Sequence, residues 1–475
     1  MALAAVSASV AILVAGRGSL AAAGVGAALL VVLLLLTTPR TGTALAVVVL
    51  YLGVADGYVK LRTGVGGVTL VRDVLLYAVV AGVLLRASVR ATELETPPLA
   101  GWVILIVALV LVQLANPGNA SAGKALAGLR PHLEFVPLYF LAFWTVRDAR
   151  ALRTTLIVLL SIGAINGVVT YVQSTLTPQQ LAAWGPGYEE RVLGEGRFAG
   201  GGRAFYDRYG DSRVRPLGLG SDAGFAGQFG VLAIPAGLAL LGIAGSARLR
   251  ILAVLLIALT VAGVVTSQTR AGIVASVVAA VAFGALATVS RRWWTAGLGL
   301  VAGLLVAVVT VSLVTSRAQI GAFDRYGTFT PNQVLRSTQK ERPTKVIGEY
   351  LAKYPLGAGI GKSGPAAGFG GTTASLNSET EFTYLTNEIG IPGLLAFLGF
   401  HLALVSLVVR RCRRVADGAT RTMLAALGAP LVAMLPLWFV TTTTANTPFS
   451  PFIWFTGGVL AFWLVALPRR PAPSP

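Results

Sequence analysis

The sequence predicts an all-α polytopic membrane protein, and three observations carry that prediction. Hydrophobic residues make up 55% of the chain and charged residues only 12%. Long apolar runs, such as Ala21 to Leu36 and Ile251 to Val265, recur along it. Because a helix satisfies its own backbone hydrogen bonds in lipid, stretches of about 17–25 apolar residues cross a bilayer as helices. This composition excludes an ordinary water-soluble protein.

The apolar runs between charged or Pro/Gly-rich breaks predict about twelve to fourteen spans by this length rule. In chain order the spans are predicted at 2–16, 19–37, 42–56, 67–86, 99–115, 132–146, 154–174, 222–245, 251–266, 271–289, 293–315, 383–409, 421–442 and 450–468. No basic segment precedes the first run, so a cleavable signal peptide is not expected. The single cysteine, Cys412, excludes an internal disulfide framework and a multi-cysteine metal site.

Basic clusters set the predicted orientation. They follow the even-numbered spans, at Arg40, Arg86/Arg90, Arg147/Arg150/Arg153, Arg248/Arg250, Arg291/Arg292, Arg410/Arg411/Arg413/Arg414 and Arg469/Arg470. Since Lys and Arg accumulate on the cytoplasmic side, both termini are predicted to be cytoplasmic. The long connections 175–221 and 316–382 are then extracytoplasmic, and the short connection with Lys60 and Arg62 is an exception to the bias.

The two long connections carry the informative charges. Both are too short to form independent domains, so we expect each to pack on the helical bundle. The first is rich in arginine, which the charge bias disfavours outside the cell, and this predicts a bound anion. Its arginines are Arg191, Arg197, Arg203, Arg208, Arg213 and Arg215. In the second, the pattern predicts a short amphipathic helix from Arg342 to Tyr354, with Pro343 in its first turn.

Four separated segments together resemble the bacterial O-antigen ligase and O-antigen polymerase superfamily. They are Leu129 to Phe135 (LRPHLEF), Arg215 to Gly227 (RPLGLGSDAGFAG), Thr266 to Gly272 (TSQTRAG), and Tyr354 to Gly361 (YPLGAGIG) followed by Glu379 to Gly393 (ETEFTYLTNEIGIPG). The segments occur in the order typical of the family. They divide the chain into N-terminal transmembrane helices (1–124), a ligase- or polymerase-like core (125–410) and C-terminal transmembrane helices (411–475).

The resemblance implies a GT-C-like membrane glycosyltransferase of the bacterial plasma membrane with an extracytoplasmic active site. Members of that family transfer a glycan from a polyprenyl-diphosphate carrier to a hydroxyl of a glycan, lipid or protein acceptor. The expected reaction is therefore inverting and independent of metal. Beyond the donor, the acceptor and membrane lipids, we expect no cofactor and no nucleic-acid partner.

The departing diphosphate gathers negative charge, which guanidinium groups can stabilise by bidentate hydrogen bonds without a divalent ion. Arg270 is the first candidate, because it lies at the end of a predicted span and matches the family motif. The remaining candidates are Arg215, Arg191, Arg342 and Arg130. For Arg270 the alternative is a side chain that extends to the lipid headgroups. Contact with lipid phosphates is likewise the alternative for Arg191, Arg197, Arg203, Arg208 and Arg213, and an ion pair with Glu134 is the alternative for Arg130.

The acceptor hydroxyl needs a base, and the sequence departs from the ligases at this point. Glu379 stands where ligases carry histidine, and the chain has only two histidines, His132 and His401. A carboxylate with a suitably raised pKa can act as the base, so Glu379 is the first candidate and Glu381 the second. Both are equally explained as acidic residues favoured at a helix N-terminus. Glu388, Gly359 and Gly390 match the motif and are expected to support the site. For Glu388, a structural hydrogen bond to a neighbouring helix is the alternative.

Two alternatives from other classes remain open. A transporter or flippase for an anionic lipid-linked glycan would share the spans and the basic residues, and would show broken helices or acidic coupling residues near the bilayer midplane. A non-catalytic membrane scaffold for glycan assembly is compatible with the missing motif histidine.

Overall fold

The computed structural model describes residues 31–64, 68–91, 93–195, 202–206, 210–287, 343–367, 376 and 380–469. Seven helices within these ranges are long and apolar enough to cross a membrane, or up to eight if a bent pair counts as one span. The prediction of a helical multi-pass membrane protein is confirmed at that level. The predicted spans 2–16 and 293–315, and most of 19–37, lie outside the described residues.

Most described helices match the predicted spans to within a few residues. In chain order they are α1 (Thr41–Val54), α2 (Asp56–Thr63), α3 (Thr69–Val89), α4 (Ala100–Val112), α5 (Ala122–Leu133), α6 (Pro137–Thr145), α7 (Ala149–Ser174), α8 (Pro178–Ala182), α9 (Pro186–Leu193), α10 (Phe225–Ile243), α11 (Ala247–Thr266), α12 (Arg270–Ala287), α13 (Pro343–Lys353), α14 (Glu381–Arg411), α15 (Gly418–Leu437) and α16 (Phe449–Ala461). A π-helical turn, Phe462–Ala466, extends α16.

Polar caps explain several of the helix starts. Asp148, Ser246 and Asp417 accept hydrogen bonds from the main chain at the starts of α7, α11 and α15. Such caps satisfy amide groups that have no partner within the helix. The same caps lie beside basic clusters, so each span begins where polar sequence gives way to an apolar run.

The span predicted at 132–146 is wrong as a continuous helix. The chain instead forms α5 and α6 with a break at residues 134–136. Pro137 has no N–H to donate to the carbonyl of Leu133. In its place the amide of Val136 donates to Leu133 O at 3.1 Å, which closes a tighter turn.

The described chain forms two compact units. Unit 1 takes in the described residues up to Glu95 and those from Asp148 to Val277. Unit 2 takes in Thr96–Arg147, residues 278–287 and the described residues from Pro343 onward. The predicted core 125–410 therefore contributes residues to both units.

In unit 1, α7 packs against α10 and α11, and α1 packs against α7. Helices α1 and α2 form the bent pair, with an angle of 46° between them. A short antiparallel hairpin, β1 (Ala204–Tyr206) and β2 (Ser212–Val214), pairs Phe205 with Arg213. In unit 2, α6 packs against α16, and α14 packs against α4, α13 and α15.

Candidate functional site

The described part of connection 175–221 packs on the helices of unit 1, as predicted. Helices α8 and α9 and strand β2 form an apolar cluster with Leu61 of α2. The buried members are Leu61, Leu181, Tyr188, Val192, Val214 and Leu217. The Arg62 guanidinium, also on α2, donates to the carbonyl of Trp184. Lys60 and Arg62, the exception to the charge bias, thus belong to a helix that supports this connection.

Two arginines of this connection converge on one carboxylate oxygen. Arg191 Nη2 lies 2.6 Å from Asp222 Oδ1, and Arg203 Nη2 lies 2.7 Å from the same atom. The side chains of Arg191 and Arg203 are 11% and 23% exposed, whereas that of Asp222 is 57% exposed. Partial desolvation by the surrounding protein raises the pKa of the Asp222 carboxyl, but the two guanidinium groups outweigh this and hold the pKa below the usual carboxyl value. Asp222 is therefore ionised at neutral pH.

Arg215 and Arg213 lie on the same hairpin. The backbone amide of Arg215 donates to the carbonyl of Arg203 at 2.9 Å, so these two residues are fixed to each other through the main chain. Arg213 pairs with Asp211 at 3.0 Å, and both side chains are more exposed than those of Arg191 and Arg203. The structure therefore brings the Arg191 and Arg203 side chains together at Asp222 and joins Arg215 to Arg203 through the main chain. Arg197 and Arg208 lie outside the described residues.

A buried glutamine holds the turn after Arg215. Gln173 Oε1 accepts from the amides of Leu217 and Gly218 at 2.9 and 2.8 Å, and its Nε2 donates to Gly218 O at 2.9 Å. Asn166 lies two helical turns earlier on α7. It accepts a hydrogen bond from the amide of Leu219 at 2.9 Å and donates one to Gly53 O at 2.9 Å. The motif segment 215–227 is thus attached to a transmembrane helix by side-chain hydrogen bonds.

Replacing Gln173 by leucine is expected to lower the free energy of unfolding by about 2–4 kcal/mol, because two buried amides lose their acceptor. Reversible unfolding in mixed dodecyl sulfate micelles measures the change. Gln179→Leu is the matched control, since Gln179 is exposed on α8. Equal stability of the two variants would contradict the role assigned to Gln173.

Arg270 begins α12, directly after the buried turn of Ser267, Gln268 and Thr269. This turn packs on the segment 215–227. A Cβ built on Gly227 would lie 2.6 Å from Ser267 Oγ, and one built on Gly272 would lie 2.7 Å from the backbone of Gly227. Only glycine allows so close an approach of the two main chains. Two motif segments that are far apart in sequence are therefore in direct contact in unit 1, with half-buried Arg270 beside them.

In unit 2, the side chain of Glu388 connects the motif segments. Its buried carboxylate accepts hydrogen bonds from the amides of Gly361 and Ser363, both at 2.6 Å, and from Ser363 Oγ at 3.0 Å. His132 Nε2 lies 3.7 Å from Glu388 and 3.1 Å from the Tyr384 hydroxyl. Glu388 therefore fastens the glycine-rich turn 357–363 to α14 and lies beside the imidazole of α5.

The glycine-rich turn also contacts α5 directly. A Cβ built on Gly128 would lie 2.3 Å from the amide nitrogen of Gly361. Gly359 has a φ of 112°, and Asn119 Oδ1 accepts from the next amide, that of Ile360, at 3.0 Å. Gly390 has a φ of 67° and interrupts α14 at this level. Gly359 and Gly390 thus allow the backbone conformation of the turn and of α14. Their role in supporting a catalytic site stays a prediction.

Replacing Glu388 by alanine is expected to cost about 2–5 kcal/mol of unfolding free energy, because the buried amides of Gly361 and Ser363 are left without an acceptor. The same micelle unfolding assay measures it. Glu349→Ala on α13 serves as the control, since Glu349 is exposed. A Glu388→Ala variant as stable as this control would show that the turn does not depend on the carboxylate.

Glu381 is fully buried at the start of α14. The amide and hydroxyl of Thr443 donate to Oε2, the amide of Thr444 donates to the same oxygen at 3.1 Å, and the Thr444 hydroxyl donates to Oε1. This network joins α14 to the connection between α15 and α16. Glu381 was predicted as the second candidate for the base, whereas its hydrogen bonds give it an anchoring position.

The predicted site residues fall into two sets. Arg191, Arg215 and Arg270 belong to unit 1, and Glu381, Glu388, Gly359, Gly390 and Arg130 belong to unit 2. Arg130 pairs with Glu134 at 3.1 Å, as expected from their spacing. Glu379 and Arg342 lie outside the described residues, although α13 itself confirms the predicted amphipathic helix. Within the described ranges, no group of three or more His, Cys, Asp or Glu residues could hold a metal ion.

Four features of the site were not predicted from the sequence, namely the roles of Asp222, Gln173 and Asn166 and the contacts of His132. The sequence did contain a signal for Asn166 and Gln173. Asn166, Thr170 and Gln173 are polar residues spaced four and three apart in an apolar span, and such residues face the protein interior. The sequence matches no model of a known protein family, and a comparison with curated proteins finds no relative.

Proposed function

We propose that this chain transfers a glycan from a polyprenyl-diphosphate carrier to an acceptor hydroxyl at the outer face of the bacterial plasma membrane. The proposal places both termini in the cytoplasm and the reaction outside, as the distribution of basic residues predicts. One observation carries it. The four motif segments pair within the units, 215–227 with 266–272 in unit 1 and 129–135 with 354–361 and 379–393 in unit 2.

Short motifs that matched a family by chance would have no reason to lie in contact with one another. The contacts between these segments therefore support the family resemblance. In unit 1 the contact is between main chains at Gly227 and Gly272. In unit 2 it runs through the Glu388 carboxylate and the backbone of Gly361. Buried side chains position the glycine turn in each unit, which is what a preorganised site needs.

In the proposed reaction, the acceptor oxygen attacks the anomeric carbon of the sugar while the bond from that carbon to the carrier phosphate breaks. The electron pair leaves with the diphosphate. Arg270, Arg215 and Arg191 stabilise that charge, and Arg342 and Arg130 are further candidates. Glu379 takes the proton of the acceptor hydroxyl, since the Glu381 carboxylate is already occupied by donors from Thr443 and Thr444.

The test is reconstitution of the full chain in liposomes with a fluorescent polyprenyl-diphosphate oligosaccharide and a soluble glycan acceptor. The expected product is a fluorescent glycan of increased mass that no longer partitions with lipid, formed in the presence of a metal chelator. Absence of transfer with every acceptor class, namely glycan, lipid and protein, would overturn the proposal. A requirement for a divalent ion would overturn its metal-independent form.

A second candidate, a transporter or flippase for the same lipid-linked glycan, is favoured by one observation. The bent pair α1 and α2 meets at buried Asp56, whose Oδ2 accepts from Arg72 Nη1 at 3.0 Å. Broken helices with ionisable residues are typical of secondary transporters. Movement of the fluorescent donor across the liposome membrane without transfer would favour this candidate. Binding without transfer or movement would favour the non-catalytic scaffold.

A further inference from the structure

Helix α14 bends sharply at Gly390, and the contacts of Trp438 show how far. The Trp438 ring lies 5.7 Å from the ring of Phe382 and 5.4 Å from that of His401, between centroids. In one straight helix these two positions would be about 28 Å apart, which is more than one indole can bridge. Gly390 has φ 67° and ψ −168°, which breaks the helix. Residues 381–389 therefore form a half-helix that folds back towards residues 391–411.

The imidazole of His132 on α5 shows the same bend. It lies 5.2 Å from the ring of Tyr384 in the half-helix and 6.2 Å from the ring of Phe397 beyond the break. Every residue of the half-helix except Phe382 is buried. Since lipid offers no hydrogen-bond partners, a buried half-helix depends on protein groups to hold its polar ends.

The start of the half-helix is tied to the connection 438–448 between α15 and α16. The amide of Glu381 donates to the carbonyl of Trp438 at 3.1 Å. The Glu381 carboxylate accepts hydrogen bonds in return. Its Oε2 accepts from the amide and hydroxyl of Thr443 and from the amide of Thr444, and its Oε1 accepts from the Thr444 hydroxyl. The two threonines thus fix the start of the half-helix through one carboxylate.

The proposed base, Glu379, is covalently bonded to the residue that caps this half-helix. The cap, Thr380, is buried, and its Oγ1 accepts from the amide of Thr383 at 3.2 Å while its own amide donates to Thr383 Oγ1 at 3.2 Å. Consecutive Cα atoms are about 3.8 Å apart. The groups that hold Thr380 and Glu381 therefore also limit the positions that are open to Glu379.

We propose that Thr443 and Thr444 are positioning residues for Glu379 and act through the Glu381 carboxylate. This inference rests on the proposed function for the reaction itself. One carboxylate of the motif then takes the proton while the second holds the first in place, within the roughly 0.5 Å that a preorganised site needs. The connection 438–448 becomes part of the site, although the sequence placed it among the C-terminal helices outside the predicted core.

The position of residue 379 can be measured without any reaction. Cys412 is the only cysteine, so Cys412→Ala gives a background in which Glu379→Cys and Arg410→Cys carry spin labels. Arg410 is exposed near the end of α14. Double electron–electron resonance then gives the distribution of distances between the two labels in the full chain.

Adding Thr444→Val should broaden that distribution about twofold, because Glu381 Oε1 loses its hydroxyl donor. Thr444→Ser keeps the hydroxyl and should restore the narrow distribution. Thr441→Val is the matched control on the same connection, since the donors to Glu381 come from Thr443 and Thr444.

The same threonine variants are then compared in the liposome transfer assay, in the chain that keeps Glu379. Thr444→Val should lower kcat about 10²-fold and leave the KM of the donor unchanged, because a misplaced base slows only the chemical step. Thr443→Val should lower kcat about tenfold, since both amides still donate to Glu381 Oε2. Thr444→Ser should transfer like wild type. A purely structural role would reduce the amount of folded protein without changing kcat per folded molecule.

An unchanged distance distribution in folded Thr444→Val would overturn the positioning role. A broadened distribution with wild-type kcat would overturn its link to the reaction. If Thr444→Val does not fold, Thr443→Val decides both points. A wild-type chain without transfer would defeat the proposed function, while the distance distributions still decide whether Thr444 holds residue 379.

Discussion

Replacing Arg270 by alanine should reduce glycan transfer about 10²–10³-fold, the usual cost of removing one donor to a developing anion. Arg270 is the first residue of α12, follows a buried turn and lies beside the Gly227 and Gly272 contact. A guanidinium at that position can supply positive charge to the departing diphosphate. The expected loss is in kcat more than in KM, because the charge on the diphosphate grows as its bond to the sugar breaks.

Arg248→Ala is the control for the Arg270 measurement, because Arg248 is exposed near the opposite end of α11. Arg270→Lys tests geometry, since lysine keeps the charge but loses the bidentate fork. We expect Arg270→Lys to be intermediate and Arg248→Ala to resemble wild type. Transfer by Arg270→Ala at the wild-type rate would remove Arg270 from the proposed phosphate site.

Replacing Glu379 by glutamine should reduce transfer about 10²–10⁴-fold, the range expected for loss of a general base. Glutamine keeps the size of the side chain and cannot accept the proton of the acceptor hydroxyl. The rate of transfer is measured in the reconstituted liposomes, together with stability in mixed micelles. We expect stability to stay near that of wild type.

Glu381→Gln provides the contrast two residues away. Its carboxylate takes donors from both Thr443 and Thr444, so the substitution should lower stability, through lost acceptor capacity, more than Glu379→Gln does. If Glu381→Gln folds and is inactive while Glu379→Gln is fully active, the base is Glu381 and the assignment to Glu379 is wrong.

The sequence predicted the helices that depend only on the composition of their own residues. Apolar runs long enough to cross a bilayer predicted the bounds of α7, α10, α11 and α14 to within a few residues. A transmembrane helix depends on the mean composition of about 20 consecutive residues, which the sequence shows directly. The break between α5 and α6 was not predicted, because the apolar pattern of residues 132–146 runs through Pro137 without an interruption. A single proline changes the hydrogen bonding without changing the mean hydropathy.

The candidate site was predictable where a motif marked it and not where it depends on distant partners. Glu388 was found from its match to the family motif, but the hydrogen bonds that it accepts from the Gly361 and Ser363 amides depend on the fold. Asp222 gave no signal, because one aspartate among glycines has no periodic pattern. What makes it informative is that two arginines, 31 and 19 residues upstream, contact one of its oxygens.

Helix α2 links two parts of the chain that a span diagram treats as unrelated. Leu61 contributes to the apolar cluster beneath α9, and Arg62 bonds the carbonyl of Trp184. A hybrid protein that exchanges residues 175–221 with those of another chain must therefore exchange residues 56–63 as well. Otherwise α9 loses the apolar contact with Leu61, and the carbonyl of Trp184 loses its hydrogen bond from Arg62.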